Sequence, residues 1–207
     1  MTTAPGQWSA GLRIGVVPGV TLGKWRTIWR QRYPRVPLTV VELKVDDQRR
    51  ALVVRDVDAC FVRLPLETDG LHVIRLYDEA PVVWVSPEHP LAAFDDVSEA
   101  DLASEHVLER VDPATLERVA RGEAVLRVPM SVARSHSRRD LVYRPVTDAP
   151  AATVALAWLV DGNNEAVVDF VGVVRGRTEN SSRTAQDRVA GSRDDPQSRR
   201  RRRSRRS

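Results

Sequence analysis

An α/β fold is predicted by three features at the start of the chain. Leu12–Val17 is an apolar run of strand length that enters a Pro18-Gly19 turn. Leu22, Trp25, Ile28 and Trp29 then recur at helical spacing up to Tyr33-Pro34, and a second apolar run, Leu38–Leu43, follows directly. Strand, helix and strand in that order make a βαβ opening. In such sheets ligands sit beyond the carboxyl ends of strands, against helix N-termini. The first candidate contact is therefore Pro18-Gly19-Val20-Thr21, where backbone N–H groups and a hydroxyl at a helix start suit a carboxylate or phosphate. Thr21 serves equally well as the cap of its own helix.

Further along, Asp46 or Asp47 can cap a helix through about Arg55, and Val57–Val62 has strand character. Arg63 stands just past that strand and is a candidate anion clamp, with its planar fork of donors. A solvated surface arginine is the alternative in a chain with thirty of them. Strands are expected at Val73–Leu76 and Pro81–Ser86, with Pro87 and Pro90 marking a crossing between lobes. Ser98 to Asp101 has capping-box spacing, with Asp in place of Glu or Gln. Asp112-Pro113 is a strong helix start, Leu116, Val119 and Ala120 give its buried stripe, and Gly122 is the expected stop. Ala124–Pro129 and Leu141–Val146 read as strands joined by a Ser- and Arg-rich turn, in which Ser131 and Arg134 are candidate contacts. Ala149-Pro150 marks a second crossing, Thr153–Val160 a core strand, and Glu165 to about Arg175 a closing helix.

Charge separates the body from the end of the chain. Residues 183–207 hold ten Arg against three Asp, or +7, which leaves −3 for residues 1–182 of a chain whose net charge is +4. Bulk charge therefore gives the body no grip on nucleic acid. The run Arg199, Arg200, Arg201, Arg202, Arg203, with Arg205 and Arg206, is a polycation expected to hold phosphate backbones non-specifically, or simply to keep the protein in solution. From Arg177 onward too few apolar residues remain to order the segment. No secretory signal is visible at the N-terminus, and the longest apolar run, Val154–Val160, is far too short to span a bilayer, so a cytoplasmic protein with no membrane contact is expected.

Nothing in the chain argues for catalysis or for a cofactor, so a protein that is not an enzyme is expected. PGVTLGKW lacks a phosphate-binding loop's spacing, since Pro18 and Trp25 fall where Gly and Ser or Thr are needed. His72, His89, His106 and His136 show no metal-ligand spacing. Cys60, the single cysteine, excludes an intramolecular disulfide and has apolar neighbours, so buried filler is expected. Trp25 and Trp29 share a helical face with Leu22 and Tyr33, fit for core packing or for a dimer contact.

In order and spacing these segments resemble the effector-binding domain of LysR-type transcriptional regulators over about residues 11–176. LRIGVVPGVT resembles the family's first strand and ligand loop, and WRQRYPRVPLTVVEL its first helix and second strand. LVVRDVDACFVRLP, LHVIRLYDEAPVVWVSPEHPLA and TLERVARGEAVLRVPMSVAR resemble the segments that follow. The resemblance implies a two-lobed type 2 periplasmic-binding-protein-like fold. Residues 1–10 are an N-terminal extension, 11–88 with 152–176 form lobe I, 89–151 a shortened lobe II, and 177–207 a disordered basic tail. It also implies that Gly19 to Thr21, Arg63 and Ser131 converge on one crevice holding a small, anionic effector. No winged helix-turn-helix precedes Leu12, so a transcriptional role is expected to run through a partner, a homodimer or a separate DNA-binding protein. The competing expectation is a nucleic-acid-associated protein working through its tail.

Overall fold

The computed structural model describes residues 11–136, 138–162 and 164–176. The expectations for residues 1–10 and for the arginine tail, Arg199 to Arg206 included, lie outside the described residues. The chain divides into two units, one ending at Val167 and one beginning at Val168. No described helix is long and apolar enough to cross a membrane.

The first unit opens with strand β1 (Leu12–Val16), helix α1 (Gly23–Arg32) and strand β2 (Leu38–Glu42). A 3-10 turn at Val45–Asp47 leads into α2 (Gln48–Val53), followed by β3 (Ala59–Arg63), β4 (Leu71–Glu79) and β5 (Pro81–Val85). After a second 3-10 turn at Pro90–Ala93 come α3 (Glu99–Leu102), β6 (Val107–Leu108), α4 (Pro113–Ala120) and β7 (Val125–Pro129). The chain continues through α5 (Met130–Ser135), β8 (Val142–Pro145) and β9 (Ala152–Leu159). Helix α6 (Glu165–Val174) crosses the boundary between the units.

Two sheets result. The first runs β2-β1-β3-β9-β4 and the second β6-β7-β5-β8. β1 pairs in parallel with β2 and β3, as the βαβ opening requires, and β9 returns antiparallel between β3 and β4. β3 is buried along its whole length. Cys60 and Val62 pack with Leu52 of α2 and with Ala155 and Ala157 of β9. In the second sheet β5 alternates faces: Val82 and Trp84 meet Val119, Leu126 and Leu141, while Val83 and Val85 meet Leu91, Leu102 and Val125.

The local signals of the second sheet hold in detail. Ser98 and Asp101 form a reciprocal capping box. Asp112 accepts from the Thr115 N–H at 2.8 Å, with Pro113 in the first turn. Gly122, at φ +73°, follows the end of α4.

Three elements differ from the sequence reading. Thr21 does not cap α1: Leu22 occupies the cap position with no side-chain hydrogen bond, and Thr21 is exposed. The helix start is instead set by burial of Val20 and Leu22, with the Val20 N–H closing the preceding turn on the Val17 carbonyl at 3.2 Å. The segment after Pro129, read as a turn, is helix α5, held by burial of Val132 and Ala133. The change of sheet falls at Ala80 rather than at Pro87 to Pro90, so β5 joins the second sheet and not the first. A single residue between β4 and β5 is too short for a hairpin, and each strand pairs elsewhere. The return crossing lies between Val146 and β9, around Ala149-Pro150.

Candidate functional site

The two sheets of the first unit enclose a cavity of about 750 Å³. This is in the range of small-molecule sites. The end of β1 supplies Pro18, and β3 supplies Arg63. The second sheet supplies Arg127 and Val128 from β7, and the crossovers supply Pro81 and Ala152. The remaining wall mixes Val, Pro and Ala side chains with the charged Lys44, Asp46, Glu109, Arg110 and Asp112, and no aromatic ring occurs among the lining residues.

Arg63 reaches this wall because its backbone is gripped from both sides. On one side β3 pairs with β9, Arg63 opposite Val154. On the other, the pairing with β1 ends at Phe61, and the buried Gln48 side chain takes over: its amide donates to the Arg63 carbonyl and accepts from the Arg63 N–H, both at 2.9 Å. The guanidinium then passes the end of β9 to Glu79, with Nη2 2.9 Å from Oε2, and donates to the Pro18 carbonyl at 3.2 Å. The Arg63 side chain is 10% exposed and that of Glu79 7%. Arg63 is therefore neither a solvated surface arginine nor a free clamp: one edge is already committed to a carboxylate.

Arg127, from the other sheet, also pairs with a carboxylate but in a more open setting: its side chain is 27% exposed and that of Glu99 39%. Its Nη2 lies 2.7 Å from Glu99 Oε2, and its Nε, like that of Arg63, is buried with no partner. Nη1 of either arginine makes no hydrogen bond among the described residues. Arg127 escaped the sequence reading, though a charge between the apolar Leu126 and Val128 near a strand's carboxyl end was the available signal. At the rim, Asp46 and Arg110 pair at 3.3 Å across the two sheets, both largely exposed. Asp112 is held below the usual carboxylate range, first by the Thr115 backbone N–H, so its charge belongs to α4.

The remaining candidates sort differently. Gly19 (φ +87°) packs on the start of α5 so closely that a Cβ on it would lie 2.3 Å from Ser131 Oγ and 2.8 Å from the Val132 nitrogen. Gly19 and Ser131 are thus brought together across the two sheets, and the Ser131 hydroxyl is buried without a partner. Neither lines the cavity, and Val20 (buried) and Thr21 (exposed) do not either. Arg134 is exposed. Trp25 stacks on Phe61 at 4.8 Å and Trp29 is fully buried, which assigns both to packing. Cys60 is buried, and desolvation pushes its thiol up to about 12. No group of acids, histidines or cysteine fit to hold a metal occurs among the described residues.

Two sheets joined by crossovers around a cavity with aliphatic and charged walls, and with arginines on opposite sides, have the form of a small-molecule binding domain. Residues 5–118 match the family model of the LysR substrate binding domain, and the chain belongs to that family. Its members serve transcriptional regulators as effector-binding domains. The sequence is 36% identical over 85 residues to a "Probable hydrogen peroxide-inducible genes activator" of Mycobacterium leprae, covering 40% of this chain and 27% of that protein. It is 31% identical over 140 residues to "HTH-type transcriptional regulator BudR" of Raoultella terrigena, covering 62% and 48%. The chain thus spans less than half of either relative. Among solved structures, "BenM effector binding domain with its effector benzoate" superposes with a TM-score of 0.67 at 23% identity, covering 82% of this chain and 95% of that one. The reduced form of the OxyR regulatory domain from Pseudomonas aeruginosa gives 0.61 at 21% identity, covering 82% and 96%. These likenesses fix the fold as the two-lobed, periplasmic-binding-protein-like α/β architecture.

Proposed function

We propose that the cavity between the two sheets is an effector site for a small organic anion with an apolar body, and that its occupancy is passed to a DNA-reading partner in transcriptional regulation. One observation carries this reading: two arginines in opposite walls of one cavity, each held by a carboxylate and each with an Nη1 that makes no hydrogen bond among the described residues. The aliphatic part of the wall suits the ligand's carbon skeleton and the guanidinium N–H groups its acid. Because Glu79 and Glu99 already balance the two charges, hydrogen bonding rather than bulk field selects the ligand, which favours a monoanion. Benzoate, named as the effector of BenM, has this chemistry. The peroxide response in the mycobacterial relatives' names gains no support from disulfide chemistry within this sequence, since Cys60 is the one cysteine and is buried.

Thermal unfolding against a panel of small carboxylates, benzoate included, tests the proposal. A ligand at 100 times its dissociation constant adds about 2.7 kcal/mol. For a chain of this size that is a rise of roughly 5–10 °C. Arg127→Met keeps the stem that packs in β7 and removes the guanidinium, so it is expected to lose most of the rise. A panel without effect, or an undiminished rise in Arg127→Met, contradicts the reading.

A further inference from the structure

A guanidinium has five N–H hydrogens to place. In Arg63, Nη2 serves Glu79 and the Pro18 carbonyl, Nε is buried without a partner, and Nη1 makes no bond among the described residues. Glu79 is not on the cavity wall. It stands behind Arg63 as the last residue of β4, one residue before Ala80, where the chain crosses to the second sheet and where the Ala80 carbonyl accepts from the Met130 N–H at 3.0 Å. Pro18, the other acceptor, precedes the Gly19 that rests on α5. One buried guanidinium therefore ties together the β1 loop, the crossover strand and the cavity wall.

We propose that Glu79 is a built-in competitor for the effector's acid group: its carboxylate holds Arg63 through Nη2 while the cavity is empty, and an entering carboxylate, bonding at Nη1, must share that guanidinium's charge with it. The inference rests on the reading of the cavity as an anion site and adds what regulates it. Glu79 acts through Arg63 and is a positioning residue, tuning how strong an anion the cavity requires. Because it sits next to the crossover, loosening its hold frees the strand end that joins the two sheets.

Acetate, the smallest carboxylate that mimics the missing side chain, is the probe. The full chain carrying Glu79→Ala is melted in rising acetate and in equal chloride, beside the wild type and the double variant Arg63→Met/Glu79→Ala. The single variant is expected to melt lower in chloride and to regain about 4 °C or more in acetate, saturably, while the wild type and the double variant hardly move. Rescue shows that Arg63 needs a carboxylate partner; the competitor role further requires that the strongest-binding panel carboxylate bind Glu79→Ala more tightly than wild type, and equal or weaker binding overturns it. Glu79→Ser, which also leaves room for acetate beside Arg63, supplies the same comparison if Glu79→Ala does not fold. An equal acetate response in wild type and variant, or one that survives in the double variant, overturns the competitor role. Wild type that binds a panel carboxylate beside a Glu79→Ala protein indifferent to acetate overturns that role alone. Acetate rescue in the variant with a wild type indifferent to the whole panel removes the effector reading and the competitor role with it, leaving Arg63 and Glu79 a structural ion pair.

Discussion

Trp29→Ala is expected to cost the protein about 3–5 kcal/mol of stability, the range for truncating a fully buried large aromatic. Trp29 is 0% exposed. Its ring stacks on Tyr33 at 4.4 Å between centroids, and its Nε1 donates to the Val36 carbonyl at 2.9 Å. The indole therefore fixes where α1 ends and where the chain turns toward β2, and α1 is the element that holds the Pro18–Val20 loop at its N-terminal end. Trp29→Phe retains most of the packing and loses the hydrogen bond, leaving the Val36 carbonyl short of a donor, for about 1–2 kcal/mol. Urea unfolding followed by circular dichroism measures both. Equal costs for the two variants would show that the hydrogen bond rather than packing anchors the helix, and a cost below about 1 kcal/mol for Trp29→Ala would remove Trp29 from the core.

Gly19→Ala is expected to damage the site more than any other single methyl group. The backbone at φ +87° disfavours a side chain by roughly 1–2 kcal/mol. The added Cβ would also meet Ser131 Oγ and, less forgivingly, the Val132 backbone nitrogen. Relief requires the loop to part from α5, which carries Pro18 out of the cavity wall and strips Arg63 of its Pro18 contact. Loss of carboxylate response together with a lowered melting temperature is the expected result. Ser131→Ala discriminates between causes, because it deletes a buried hydroxyl that has no partner and is expected to be neutral or mildly stabilising. Unchanged carboxylate binding in Gly19→Ala would mean that closure of this contact is irrelevant to the cavity.

The opening βαβ and the helix starts were legible because their signals are local. The apolar period around Trp25 and Trp29, the Asp112-Pro113 start and the Ser98–Asp101 box are each set by neighbours within a few residues, and each forms as read. The place of Arg63 at a buried strand's end was legible, but its commitment to Glu79 was not. That pairing is sixteen residues away and passes the end of β9, a strand that enters the sheet from the far end of the chain. Likewise, Pro81–Val85 reads as a strand in either sheet; its allegiance is decided by β7 and β8, which pair with it from more than forty residues on. Helix α5 was hidden by a Ser- and Arg-rich composition that suits a turn, and only burial of Val132 and Ala133 against the second sheet makes it helical. The cavity itself is a product of the crossovers and could be placed only when both sheets were in hand.

The measurement that bears most directly on the central claim is a crystal structure of the protein with the strongest-binding carboxylate of the panel. The account predicts ligand density within the cavity, its acid group in hydrogen-bond range of the Nη1 of Arg63 or Arg127 and its carbon skeleton against Val128 and Pro129. Density elsewhere on the protein, with the cavity unchanged and the two guanidinium groups still bound only to Glu79, Pro18 and Glu99, would contradict it.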